Sequence, residues 1–190
     1  MADKEKIIGR IRAIQLQEKE LPSIPVFQFD AGLKAGFKAA LELAKATVIE
    51  TEAEQIPVLI EKQYQQLKNI YSGISGVPGN IRPETLSDKM ILNEIDLAVL
   101  QADFGVCENG AMWINQKHLE IPALPFICKY LVIVLEQSSL VSNMHEAYQR
   151  IKLPVESFGL FIAGPSKTAD IEQSVVIGAH GPIGLTVFLI

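Results

Sequence analysis

Cysteine is scarce in this 190-residue chain: Cys107 and Cys128 are its only two. No C-x-x-C pair occurs, which excludes a disulfide framework and leaves too few thiols for an iron–sulfur cluster or a Cys-based zinc site. Both cysteines sit beside large apolar residues and read as buried, inert thiols. A surplus of positive charge is also missing. Seventeen Lys and Arg stand against 22 Asp and Glu, a net charge of −5, so nucleic acid is not the expected partner. The longest apolar runs, such as Tyr130–Leu135 and Phe158–Ala163, are far shorter than the roughly 20 residues that span a bilayer. The opening MADKEKIIGR carries no apolar stretch of the signal-peptide kind, and a cytoplasmic location is the expectation. No internal repeat or low-complexity tract is visible, and no His/Asp/Glu set has metal-ligand spacing.

What is present fits a compact globule: 48% hydrophobic and 21% charged residues, in a length that buries roughly 70% of the unfolded chain's surface without staples. Residues 1–20 read as an N-terminal amphipathic helix, from Asp3 to about Glu20, with Ile7, Ile11 and Ile14 at helical spacing. Residues 21–190 read as one domain. Leu33, Phe37, Ala40, Leu41 and Ala44 line a second helix with Asp30 as N-cap. Thr47–Ile49 is a strand, Pro57–Leu67 a helix, Asn69–Ser72 a strand, and Gly73–Asn80 a breaker-rich loop.

The second half alternates more strongly. Strands are expected at Leu97–Leu100, Phe104–Cys107 and Ala111–Ile114, the last two joined by an Asn109-Gly110 hairpin. Lys129–Leu135 and Phe158–Ala163 are apolar on both faces, the mark of strands sandwiched between helices. A helical stripe runs from Leu140 to Ile151. A short helix is expected from about Ala169 to Ile177, closed by Gly178, and then a last strand, Leu185–Ile190. The pattern predicts a three-layer α/β/α domain with a mostly parallel, mixed sheet.

Two segments carry candidate chemistry. Gly164-Pro165-Ser166-Lys167-Thr168 leads into Asp170 and Glu172, and is expected just past the carboxyl end of a buried strand. There Gly164 would admit a ligand close to the backbone, and Ser166, Lys167 and Thr168 would supply hydroxyls and a charge. Two readings stand: a turn with helix caps, or a loop binding a small carboxylate or phosphate. The P-loop spacing is absent. In the second segment, Glu108 is either a solvated turn residue or a nucleophile or base tuned by partial burial, with Asn109 and Gly110 beside it. His180 could reach the same edge. His118 and His145 read as surface or helix residues, and Trp113 as core or interface.

Gly164 to Gln173, continuing through Val176-Ile177-Gly178-Ala179-His180-Gly181-Pro182, closely resembles the C-terminal signature of the LUD family, which includes proteins of the LutC/YkgG type. Ala102-Asp103-Phe104-Gly105-Val106-Cys107-Glu108-Asn109-Gly110-Ala111 resembles that family's A-D-[FY]-x-[IL]-A-E-T-G-[ST] motif, and Lys4–Arg12 resembles its first helix more weakly. Cys107 and Asn109 depart from the commoner Ala and Thr. Leu124–Val132 lacks the His of the family's P-x-V-H segment. The resemblance implies a fold like the NagB/RpiA/CoA-transferase group and a role in L-lactate oxidation as an accessory or small-anion-binding subunit. No cofactor would sit on this chain. Iron–sulfur clusters are expected on partner subunits resembling LutA and LutB, and a homo-oligomer is possible. A rival reading comes from Cys107-Glu108-Asn109-Gly110, which is similar to the S-E-N-G motif of some CoA-transferases. It implies a stand-alone acyl-transferring or sugar-phosphate-type enzyme with Glu108 as nucleophile or base.

Overall fold

The computed structural model describes residues 2–14, 19–20, 22–23, 25, 32–82, 94–152, 158–168 and 176–190. Helix α1 (Ala2–Arg12) is shorter than its amphipathic pattern suggests, and Ile7, Ile11 and Ile14 are exposed. Helix α2 (Leu33–Leu43) buries Phe37 and Leu41. Its N-cap is Gly32, without a side-chain cap bond; Asp30, the expected cap, lies outside the described residues. Its other end is a Schellman turn: Ala46 N–H reaches Leu41 O and Lys45 N–H reaches Glu42 O, with Lys45 at φ 68°. Glycine is the residue suited to that left-handed position. Lys45→Gly is therefore expected to raise stability by about 1 kcal/mol, read as a later urea midpoint.

Strand β1 (Thr47–Glu50) follows, then a 3₁₀ turn at Ala53–Gln55 and helix α3 (Ile56–Tyr64) with Pro57 in its first turn. Strands β2 (Ile70–Ser72) and β3 (Leu97–Gln101) precede a hairpin of β4 (Phe104–Gly105) and β5 (Met112–Asn115). Next come the single turn α4 (Leu124–Ile127), strand β6 (Tyr130–Leu135), helix α5 (Met144–Arg150), and strands β7 (Gly159–Ile162) and β8 (Gly184–Leu189). Among the described residues no helix is long and apolar enough to cross a membrane.

Five strands form a wholly parallel sheet in the order β1-β8-β6-β3-β2. In β6 and β8 every residue but the first is buried, as central strands covered on both faces must be. One face presents Leu100, Leu131, Ile133 and Val187 to Phe37 and Leu41 of α2 and to Met112 and Ile114 of β5. The opposite face presents Leu97, Val99, Val132 and Phe188 to Ile56 and Ile60 of α3. This is the expected three-layer α/β architecture.

The antiparallel strands stand apart. They form a second sheet, β4-β5-β7, whose outer residues Phe104, Val106 and Trp113 pack on Val141 and Ala147. Two expectations change accordingly. Phe158–Ala163 is not a two-faced strand of the parallel sheet: β7 pairs antiparallel with β5, Met112 opposite Ile162, and only Leu160 of its four residues is buried. The helix expected from Leu140 begins at Met144. Val141 instead pairs in parallel with Val106, its N–H donating to Gly105 O at 2.8 Å. Asn143 then caps the helix, accepting from Glu146 N–H. The apolar stripe is real, but Val141 serves the small sheet, while Leu140 packs into the main core.

Candidate functional site

The hairpin tip is built from its own backbone. Val106 N–H donates to Ala111 O at 2.8 Å and Gly110 N–H to Val106 O at 2.9 Å, while Asn109 Oδ1 accepts from Ala111 N–H at 3.0 Å. The expected strand through Cys107 therefore stops at Gly105, with Val106 as a single bridge. Gly110 has φ 72°, and a β-carbon there would lie 3.1 Å from Leu41 Cγ of α2.

Glu108 is exposed, and its carboxylate helps to hold a helix end. Its Oε2 accepts from Met144 N–H, the first helical residue of α5, at 3.0 Å. Its own N–H donates to Ser142 O. Glu146 completes the cap, its carboxylate accepting from Ser142 N–H and Oγ–H. A negative charge at this positive helix end is favourable. The partial burial that a tuned nucleophile needs is not found. Glu108→Gln keeps an acceptor but loses the charge, so it is expected to cost about 0.5–1 kcal/mol and leave the fold intact, checked by urea denaturation and circular dichroism.

The antiparallel register brings the second segment to the same place. Because Met112 faces Ile162, Gly110 and Gly164 fall opposite each other at one end of the strand pair. Gly164 has φ 95°, and a β-carbon there would lie 2.6 Å from Ala44 O and 3.3 Å from Lys167 Nζ. Ala44 also lines a groove of about 580 Å³ with Gly36, Ala40, Leu43, Glu108 and Asn109. The two distant stretches thus converge on α2.

The remaining candidates form a small ladder beside Gly164. Ser166 N–H donates to Pro182 O and Gly178 N–H to Ser166 O, both at 2.9 Å, and Thr168 N–H donates to Val176 O at 3.0 Å. Thr168 Oγ1 also accepts from Val176 N–H, and Lys167 pairs antiparallel with Ile177. Val176 and Ile177 are thus extended rather than the end of a helix, and Gly178, at φ 78°, turns this ladder. Lys167 and His180 are exposed, and Gly181 packs against Ser166. Asp170 and Glu172 lie outside the described residues.

The location differs from expectation. Three residues join α2 to β1, so the helix's last turn lies at the amino edge of the parallel sheet. The ladder leads into the start of β8, with Ile183 N–H on Lys129 O. A place at the carboxyl edge would require β7 to be a strand of the parallel sheet, and it is not.

At the carboxyl edge stand groups to which the sequence motifs assign no chemistry. Asp103, two residues beyond β3, accepts from Lys117 Nζ at 2.8 Å and pairs with His118 Nε2 at 2.9 Å. His118 O lies 3.6 Å from where a Gly73 side chain would begin. Burial pushes the Asp103 carboxyl pKa up, but the bonds from Lys117 and His118 outweigh it and hold the pKa below the usual carboxylate value. A lowered folded pKa stabilises above the unfolded value, near 3.9, and that contribution fades as pH falls through the folded one. Asp103→Asn should therefore cost about 1 kcal/mol from pH 5 to 7, with the gap to the wild type closing below about pH 4, as measured by urea midpoints across pH. Asp103 belongs to the A-D-F-G-V-C-E-N-G-A motif; His118, 15 residues on, carries no spacing signal.

Both thiols are free and buried. Burial, with the nearby Glu146 charge, pushes Cys107 up to about 11, and burial pushes Cys128 up to about 12. Thiolate chemistry at neutral pH is disfavoured at both.

A parallel sheet covered by helices, with a small antiparallel sheet delivering two glycine turns to α2 at the amino edge, defines a three-layer α/β domain. The chain belongs to the LUD domain family, whose model matches residues 23–190. It is similar to lactate utilization protein C of Shouchella clausii, 32% identical over 96 residues, covering 46% of this chain and 41% of that protein. The protein of the same name from Bacillus pumilus is 30% identical over 99 residues, covering 49% and 41%. The match thus spans about two fifths of these relatives' length. An uncharacterized protein of Neisseria meningitidis is 24% identical over 100% of this chain and 94% of its own length. The crystal structure of a DUF162 family protein from Deinococcus radiodurans shares the fold, with TM-score 0.62 and 18% identity, covering 83% of this chain and 95% of that one.

Proposed function

We propose that this chain is a LutC-like component of an L-lactate oxidation system, binding a small carboxylate while iron–sulfur partners resembling LutA and LutB carry the electrons. The observation that carries the reading is the meeting of the two family-like motifs at the last turn of α2. Similarity to relatives named for lactate utilisation supports the pathway. Having only two cysteines, both buried, fits a division of labour in which clusters belong to other subunits.

Electrostatics weighs against the groove itself, because the Glu108 carboxylate in its lining is unfavourable for an anion. Lys167, whose Nζ lies beside Gly164 rather than in the groove lining, supplies the cation, with the Ser166 hydroxyl one residue away. The acid therefore binds toward Lys167, and Glu108 shapes the hairpin and α5 rather than attacking a substrate.

A thermal-shift series with L-lactate, pyruvate and acetate tests this. A ligand bound only by the native state raises its melting temperature. L-lactate or pyruvate should raise it in the wild type and not in Lys167→Ala, while Glu108→Gln responds as the wild type does. Co-expression with cluster-bearing subunits should retain the chain on affinity purification. Loss of the response in Glu108→Gln alone would favour the acyl-transferase reading.

A further inference from the structure

The carboxyl edge of the parallel sheet takes no part in that function, yet it holds a cavity of about 390 Å³. Where parallel strands end, their connections diverge and leave a crevice, which is why ligands of open α/β sheets gather there. The floor is apolar, with buried Ile56, Val77 and Val134 and the half-buried Ile74 and Ile190. The rim is polar and comes from three separate connections. Glu54 arrives after β1, Ser75 after β2, and Gln101 closes β3. Gln101 is the one exposed residue of β3; the four before it are buried.

The lining specifies a chemistry. No basic side chain is among the described residues that line it, and Glu54 places a carboxylate there, so an anion is disfavoured. A carboxylate, an amide and a hydroxyl at the rim offer acceptors and donors matched to alcohol groups. The aliphatic floor suits a flat, weakly polar face. The volume falls in the range of small-molecule sites.

We infer that this cavity is a second ligand site, taking an uncharged nucleoside-like molecule. The ring lies on Ile74 and Ile190, and the hydroxyls meet Glu54, Ser75 and Gln101. It is independent of the Lys167 site, since the two lie at opposite edges of the sheet.

Adenosine is the probe, added to the full chain and followed by melting temperature and calorimetric titration. The wild type should gain roughly 3–6 °C at ten times the dissociation constant, and Lys167→Ala should gain as much. Gln101→Ala and Ser75→Ala change exposed side chains, so their unliganded melting temperatures should stay close to that of the wild type, with binding at least tenfold weaker. A wild type that ignores adenosine overturns the inference. So does full binding by both rim variants, or loss of the response in Lys167→Ala.

Discussion

Gly164→Ala is expected to destabilise the domain by about 2–6 kcal/mol, more than any change at the hairpin tip. Two costs add. At φ 95° an L side chain is strained by about 1–3 kcal/mol. The new β-carbon would also lie 2.6 Å from Ala44 O, a backbone atom at the end of a packed helix that cannot swing aside as a side chain could. Relieving that overlap costs about 1–3 kcal/mol more. Gly110 is the internal comparison. At φ 72° it carries the same backbone strain, but its β-carbon would meet Leu41 Cγ and N only at 3.1 Å, an overlap of a few tenths of an ångström, so Gly110→Ala should cost less. Urea midpoints at unchanged m-value separate the two.

Trp113→Ala is the second large effect, about 3–5 kcal/mol. Trp113 is 7% exposed and joins the small sheet into one aromatic cluster, with ring centroids 4.8 Å from Phe161 and 6.3 Å from Phe104. The neighbouring strand is shaped around it: a β-carbon at Gly159 would lie 2.2 Å from the indole. Removing the ring leaves a cavity that this tight backbone cannot collapse to fill. Because the lost contacts belong to the small sheet and α5, its amides should exchange faster than those of β6 and β8 in hydrogen exchange. Uniform acceleration across both sheets would show instead that they unfold as one unit.

The central strands are legible in the sequence because burial on both faces leaves a plain mark: Tyr130–Leu135 reads as apolar throughout and is β6. The hairpin is legible from Asn109-Gly110, although only Gly110 takes the left-handed conformation and the loop spans Val106 to Ala111. Phe158–Ala163 misleads for a physical reason. A strand half covered by aromatic packing in a small antiparallel sheet is as apolar in sequence as one between helix layers, and only pairing distinguishes them. Val141 misleads similarly, because an apolar residue just before a cap fits a helix stripe and a β-bridge equally well. The convergence on α2 follows from no local pattern. It depends on the register of β5 against β7, a long-range property. The pairing of Asp103 with His118 is likewise a product of the fold.

A ¹H–¹⁵N spectrum recorded through a titration with L-lactate tests the small-acid site most directly. The account predicts that the amides of Gly164, Ser166, Lys167 and Ala44 shift together and saturate, while those of Ser75 and Gln101 at the far edge stay still. Shifts confined to the carboxyl edge, or a spectrum unmoved by the acid, would contradict it.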